Sequence, residues 1–349
     1  MKLSSKLLMI SASTLLGFGS VAPAFIANAA SVKTASRSYQ NRQIKVNYRY
    51  AKNMVIKNKT GLSGKTTALF SRKANPTTGA AGGYADLLVG LKGWGYKFTT
   101  TQKKRIASSL VINSKSTAAD YANAIQGLKA VGLNPTKFKP AGAKKTVNLV
   151  SGLYRQSMSK QTPNVKSQVL LALTMSSTFK RPSNAKFSIT SLAKSLVADQ
   201  QSNNGWAYNN TAASVDSDTT SMAITALAHS KSSLSAVKSA LAKGQAYLKA
   251  NVTTSGAYGY VFNGKTVANA NSTAEAIIAL SSKQATVKYA NGYFTTKQAA
   301  SPLRAMLGYV NKTGSIKGAT SQLIGVGQVN LATAAYRQSL KGHSVYTIK

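Results

Sequence analysis

Two carboxyls stand two residues apart in the stretch ASVDSDTTSMAITAL, residues 213–227, of a chain that has 45 Lys and Arg but only six Asp and Glu. Paired acids at this spacing can do general acid–base work, or keep a proton when buried in a dry cavity. With Glu275 as a third group, Asp216 and Asp218 could also serve glycoside hydrolysis. The competing role is helix capping, in which a carboxylate accepts the free amide hydrogens of a first turn and opposes the positive helix end. Asp86, Asp120, Asp218 and Glu275 all fall near the starts of Ala-rich apolar phrases, a distribution that capping explains better than catalysis. Asn330 is the uncharged counterpart expected to cap the last phrase. The expectation is therefore of no catalytic residue.

The elements that must position these acids are helices. Six phrases, GYADLLVGL, ADYANAIQGL, VKSQVLLAL, DTTSMAITAL, NSTAEAIIAL and LATAAYRQSL, end in leucine at positions 91, 128, 173, 227, 280 and 340. Each is rich in Ala and apolar at helical spacing. Between them lie amphipathic segments with a charged face, such as TTTQKKRIASSLVI and SLSAVKSALAKGQAYLKANV. In the latter, Val237, Leu241, Ala246 and Leu248 can face inward while Lys238, Lys243 and Lys249 face out. An apolar inner helix alternating with an amphipathic outer one describes stacked helical hairpins. Periodicity leaves open whether they close into a ring. In a ring the inner helices all point one way, so Asp120, Asp216, Asp218 and Glu275 would gather at one end of a central funnel, a candidate mouth for a neutral or cationic small molecule.

Composition supplies the partner argument. The formal net charge is +39, and lysine predominates, a flexible point charge rather than the planar fork that reads bases and phosphates. A lysine coat suits salt-sensitive adhesion to an anionic wall polymer such as teichoic acid, and nucleic acid is disfavoured as a partner. Arg42, Lys45, Arg49 and Lys52 form a basic stripe on a first helix whose apolar stripe is Ile44, Tyr48, Ala51 and Val55. The stripe is either a polyanion contact or a solvated face.

Residues 1–29 read as an export signal, with Lys2 and Lys6 before an apolar stretch and Ala27-Asn28-Ala29 before the cleavage point. Residues 30–43 read as a flexible basic lead-in and 44–349 as the folded domain. Nothing after the signal is long and apolar enough to span a bilayer. There is no Cys and only two His, which leaves no convincing zinc site. The segment from Lys59 to Thr67, KTGLSGKTT, is no phosphate loop, because Lys59 stands where its first glycine is required. No motif calls for a cofactor.

The stretch from Asp199 to Tyr208, DQQSNNGWAY, resembles the Q-x-x-x-G-W hairpin repeat of the squalene cyclase and prenyltransferase superfamily, with Gln201, Gly205 and Trp206 as its members. Tyr258, in SGAYGY, takes the aromatic role in a degenerate second copy. ADYANAIQGLKAVGLNP and GYVFNGKTVANANSTAEAIIALS also look like the repeats of secreted, cobalamin-binding intrinsic factor and transcobalamin relatives, with bacterial surface proteins as a related branch. The resemblance implies an all-α protein, an α/α toroid of about six hairpins. In such a repeat Gln201 would bond main-chain groups at an outer helix end. Gly205 would supply a backbone conformation that other residues resist, and Trp206 would cover the junction between hairpins. Asp216-Ser217-Asp218-Thr219-Thr220 is similar to the D-x-D-D-T acid motif of proton-initiated cyclases, whose donor would fall on Asp218, with Thr219 in place of the third acid. The reading that results is a non-enzymatic, exported, wall-associated protein of Gram-positive type, nearest to the bacterial surface branch. Its alternatives are a cobalamin-like small-molecule binder and a cyclase-like or polysaccharide-active enzyme.

Overall fold

The computed structural model describes residues 32–56, 82–140, 143–262, 265–295 and 297–347. The export signal and the Lys59–Thr67 segment lie outside these residues. Each of the six apolar phrases is a helix: α2 (Gly82–Gly93), α4 (Ala118–Val131), α6 (Pro163–Thr174), α8 (Ser217–His229), α10 (Ala270–Leu280) and α13 (Gln322–Ser339). Local chemistry sets their starts. Thr117 and Asp120 form a capping box on α4, Pro163 occupies the first turn of α6, and Asp216, Asn269 and Ser321 cap α8, α10 and α13. Ser321 thus takes the capping role expected of Asn330, which lies inside α13 and is fully buried.

These six helices pack in chain order, α2 on α4, α4 on α6, α6 on α8, α8 on α10 and α10 on α13, and α13 returns to α2. The ring is closed. Its closing seam needs glycine on both sides. A Cβ on Gly90 would lie 2.8 Å from the Leu331 backbone nitrogen, and one on Gly327 would lie 3.1 Å from that of Leu87. Small residues here let α2 and α13 approach closely enough to complete the circle.

The other helices form the outer layer: α1 (Arg37–Ile56), α3 (Thr100–Ser109), α5 (Leu149–Tyr154), α7 (Ile189–Ala198), α9 (Ser235–Asn251), α11 (Gln284–Val287) and α12 (Pro302–Gly308). α5 covers α4, α7 covers α6, α9 covers α8, and α1 covers the seam between α13 and α2. The architecture is an all-α toroid of six hairpins around one continuous hydrophobic core. Helix α1 begins at Arg37, so the second half of the expected flexible lead-in is helical. On α9, Val237, Leu241 and Leu248 are buried as expected. Ala246 is exposed, and Gly244 and Tyr247 take the inward places.

Two antiparallel hairpins interrupt the helical pattern. β1 (Trp206–Ala207) pairs with β2 (Val215–Asp216), and β3 (Tyr258–Phe262) pairs with β4 (Lys265–Asn269). Each ends on the residue that caps the next inner helix, Asp216 for α8 and Asn269 for α10. The hairpins therefore set the rotational start of the two helices that carry Asp218 and Glu275. Among the described residues no helix is long and apolar enough to cross a membrane.

Candidate active site

The repeat junctions are built alike. At one, the Trp206 N–H donates to Thr220 Oγ1 at 2.9 Å and its indole Nε1 to the Leu196 carbonyl at 2.6 Å. At the next, the Tyr258 N–H donates to Thr273 Oγ1 at 3.0 Å and its hydroxyl to the Leu248 carbonyl, also at 3.0 Å. Both aromatics are fully buried, and each ties an outer helix to the first turn of an inner one. Tyr258 is the counterpart of Trp206. The glutamine role falls elsewhere than expected. Gln201 bonds only the nearby Asp199 carbonyl through its side chain, whereas Gln200 reaches both the Asn204 carbonyl and that of Ala240 on α9. The left-handed residue is Asn204, with φ 72°. Gly205 is required for space instead, since a Cβ there would run into Val215 and meet the Tyr247 ring at 2.9 Å.

The six acids divide into three roles. Asp120 is spent on its capping box, accepting from the Thr117 N–H at 2.8 Å, and is only 3% exposed. It does not join the expected funnel mouth. Asp199 accepts from Lys166 of α6 at 2.7 Å in an ion pair between the two layers. The remaining four, Asp86, Asp216, Asp218 and Glu275, are half-buried. Inner helices are covered by outer helices and by their neighbours in the ring, so partial exposure partway along them is exposure to the internal space.

Of these four only Asp216 is a cap, accepting the Thr219 N–H at 2.6 Å and the Thr219 hydroxyl at 3.1 Å. Asp218, two residues further on in the first turn of α8, is not the cap. It accepts from the hydroxyl of Ser272 on α10 and more weakly from Ser217 Oγ at 3.4 Å. Ser217 Oγ is itself fixed on the Gly259 carbonyl of the second hairpin at 3.1 Å. Glu275 lies in the second turn of α10 and accepts from Gln328 Nε2 of α13 at 2.9 Å. The same Gln328 bonds Asp86 of α2, and Asn271 holds its carbonyl oxygen at 2.6 Å. Capping therefore accounts for Asp120 and Asp216, and fails for Asp86, Asp218 and Glu275. Four consecutive members of the ring, α2, α13, α10 and α8, supply one interior carboxyl cluster with Gln328 at its hub.

Gln328, Asn271 and Ser272 were not singled out from the sequence. The available signal was an amide in the apolar run LIGVGQVNLATAAY, since a polar side chain on a wholly buried helix must find a polar partner.

The field inside the cluster favours protonated acids. Burial raises Glu275 well above the ordinary range, and the Asp86 and Asp218 charges push it further. Burial and then the Asp218 charge lift Asp216 to about 7 against the Thr219 bonds. Burial lifts Asp86 to about 6 against the Gln328 bond. Asp218 is raised by burial against the Ser272 and Ser217 bonds. Such groups titrate as a set, not one by one. The influence extends down the ring, because burial and then Asp86 and Glu275 raise the phenol of Tyr346, which a C-terminal tail (residues 342–347) buries beside His229. Among the described residues no three His, Cys, Asp or Glu side chains are placed to hold a metal ion.

No family model matches the sequence, and no curated protein is similar to it in sequence. Solved structures are similar in fold. A variant of the type II terpene cyclase MstE from Scytonema, in complex with geranylgeranyl dihydroxybenzoate as substrate, superposes with a TM-score of 0.52 at 12% identity, over 86% of this chain and 99% of that one. The apo form of MstE gives a TM-score of 0.51 at 11% identity, over 85% and 99%. The fold is the toroid of type II terpene cyclases. At this identity the likeness establishes the shared fold.

These findings correct the reading drawn from composition. The structural resemblance is to terpene cyclases rather than to the intrinsic factor relatives or the bacterial surface branch. The wall-binding, non-enzymatic function is overturned with it, as are the teichoic-acid partner and the secreted, wall-associated placement. Arg42, Lys45 and Arg49 are exposed, and the Lys52 ammonium lies 5.9 Å over the Tyr48 ring. The stripe lies on the exposed face of α1. Net charge described the outer surface and said nothing of the interior, where four of the six acids lie.

Proposed function

We propose that this chain is a proton-donating enzyme of the type II terpenoid cyclase kind, acting on a neutral isoprenoid in the toroid interior. The observation that carries the reading is the interior carboxyl cluster, in which burial raises both Asp218 and Glu275 and so favours their protonated forms. A neutral alkene is a very weak base, so its protonation needs a carboxylic acid shielded from water. Asp218 is the donor. Its O–H proton passes to one carbon of a C=C bond, the π pair forms the new C–H bond, and the other carbon becomes cationic. A second alkene of the same chain attacks that cation and closes a ring. Loss of a proton from carbon ends the sequence, so product and substrate are isomers. Thr219, where the cyclase motif has a third acid, holds Asp216 by two hydrogen bonds. Besides Asp216, a further carboxyl near Asp218 comes from Glu275 on the next helix.

The test is incubation with geranylgeranyl dihydroxybenzoate and a panel of linear polyprenyl compounds in D2O, read by mass spectrometry. The expected product is a cyclised isomer carrying one deuterium, formed by the wild type and lost in Asp218→Asn. Failure of the folded wild type to convert any member, or conversion indifferent to Asp218→Asn, would overturn the proposal.

A further inference from the structure

A second cavity lies at the opposite pole of the ring, where the inner helices end. Its volume is ≈ 610 Å³, within the general range of small-molecule sites. Its walls come from the last turn of α2, the residues after α8 and α10, the end of α13 and the C-terminal tail. The tail separates it from the interior cluster, because Val345 packs on Gly93 and Tyr346 is buried behind it.

The chemistry of this cavity is that of a site for a phosphorylated polyol. Lys92, Lys231 and His343 bring cationic or hydrogen-bonding nitrogen from three separate segments, and none of the chain's six acids lines it. Five hydroxyl and two amide residues are among the remaining lining, which offers hydrogen-bonding groups to a hydroxyl-rich molecule. Ser281 is the decisive member. It lines the cavity, is only 6% exposed, and its Oγ has no hydrogen-bond partner among the described residues. A buried hydroxyl left without a partner is a cost that a bound polar group removes. Lys231 adds an independent point. It sits just past α8 with φ 52°, a left-handed position at which glycine is the unstrained choice.

We infer that this basal cavity binds a phosphorylated small molecule of sugar-phosphate size, with Lys92 and Lys231 on the phosphate and Ser281 on a hydroxyl. The inference is independent of the cyclase reading.

Isothermal titration of the full chain at fixed ionic strength, with glucose 6-phosphate, glucose and inorganic phosphate as probes, tests it. Glucose 6-phosphate is expected to bind one to one and more tightly than either fragment. Lys92→Ala and Lys231→Ala should each weaken it about tenfold, the loss of one charge-assisted hydrogen bond. Lys238→Ala/Lys249→Ala, on the exposed face of α9, should leave it unchanged. Both cavity lysines are exposed, so their variants should fold normally. Absence of saturable binding, or equal weakening by the α9 pair, would show that only the diffuse lysine coat is being read and would overturn the inference.

Discussion

Replacing Asp86 by Asn probes the interior cluster without altering the proposed donor. The unfolded chain releases this proton near 3.8, whereas the folded protein keeps it until about 6. In that window the unfolded state holds fewer protons, so stability falls as pH rises. At roughly 1.4 kcal/mol per unit, the two-unit shift amounts to about 3 kcal/mol present below about pH 4 and gone above about pH 6. Asp216, raised from 3.8 to about 7, adds a loss of the same sign, shared with its neighbours because these carboxyls titrate together. His229 opposes both. Burial and then Lys231 lower it from 6.5 to about 4, so its contribution of about 3 kcal/mol is present above 6.5 and lost as pH falls toward 4.

Asp218 and Glu275, also raised by burial, contribute losses of the same sign as Asp86, and the net expectation is a wild type that weakens from about pH 4 to about pH 7. Asp86→Asn retains an amide oxygen for Gln328. It should match the wild type near pH 4 and exceed it by about 3 kcal/mol at neutral pH. Urea unfolding followed by tryptophan fluorescence across a pH series at constant ionic strength measures both. Parallel wild-type and variant curves at every pH would mean that Asp86 is ionised throughout, and the argument for a proton-holding interior would fail with it.

Three further substitutions test the frame. Tyr258→Phe removes the hydroxyl bonded to the Leu248 carbonyl and should cost about 1–2 kcal/mol in urea unfolding, the cost of a buried carbonyl left unpaired. Asp199→Asn strands the Lys166 ammonium, a residue only 5% exposed, and should cost about 3–5 kcal/mol, with most of the loss recovered in Lys166→Met/Asp199→Leu. Gly90→Ala drives a methyl into the α13 backbone and should cost at least about 1–3 kcal/mol by thermal unfolding. A neutral result there would mean that the seam has slack.

The hairpins were legible because their signals are local. Each phrase ending in Leu91, Leu128, Leu173, Leu227, Leu280 or Leu340 carries its own Ala-rich helical spacing, and the Trp206 and Tyr258 repeats lie beside the helices they brace. Ring closure was not legible. The Trp94 indole donates to the Asn330 carbonyl across 236 residues, and nothing near either residue specifies the other. The role of Asp218 turned on a shift of two positions. The β1–β2 hairpin puts the cap on Asp216, and that rotation turns Asp218 from the helix mouth to the interior. Gln328 was hidden for the opposite reason, as a single amide whose two carboxyl partners come from distant segments. The partner argument failed because a coat of lysine is a property of the outside of a ring.

Closure of α2 on α13 also orders the birth of the molecule. In synthesis from the N-terminus, α2 emerges early with α4 available on one flank, while its other flank waits for the last helix. A chain halted before Ser321 would be an open arc with two uncovered apolar edges, on α10 and on α2, both of which pack against α13 in the finished ring. Long-range closure of this kind slows folding and exposes intermediates to association. Domain-swapped chains, in which one molecule's α13 fills the gap between another's α10 and α2, are the misassembly this architecture invites.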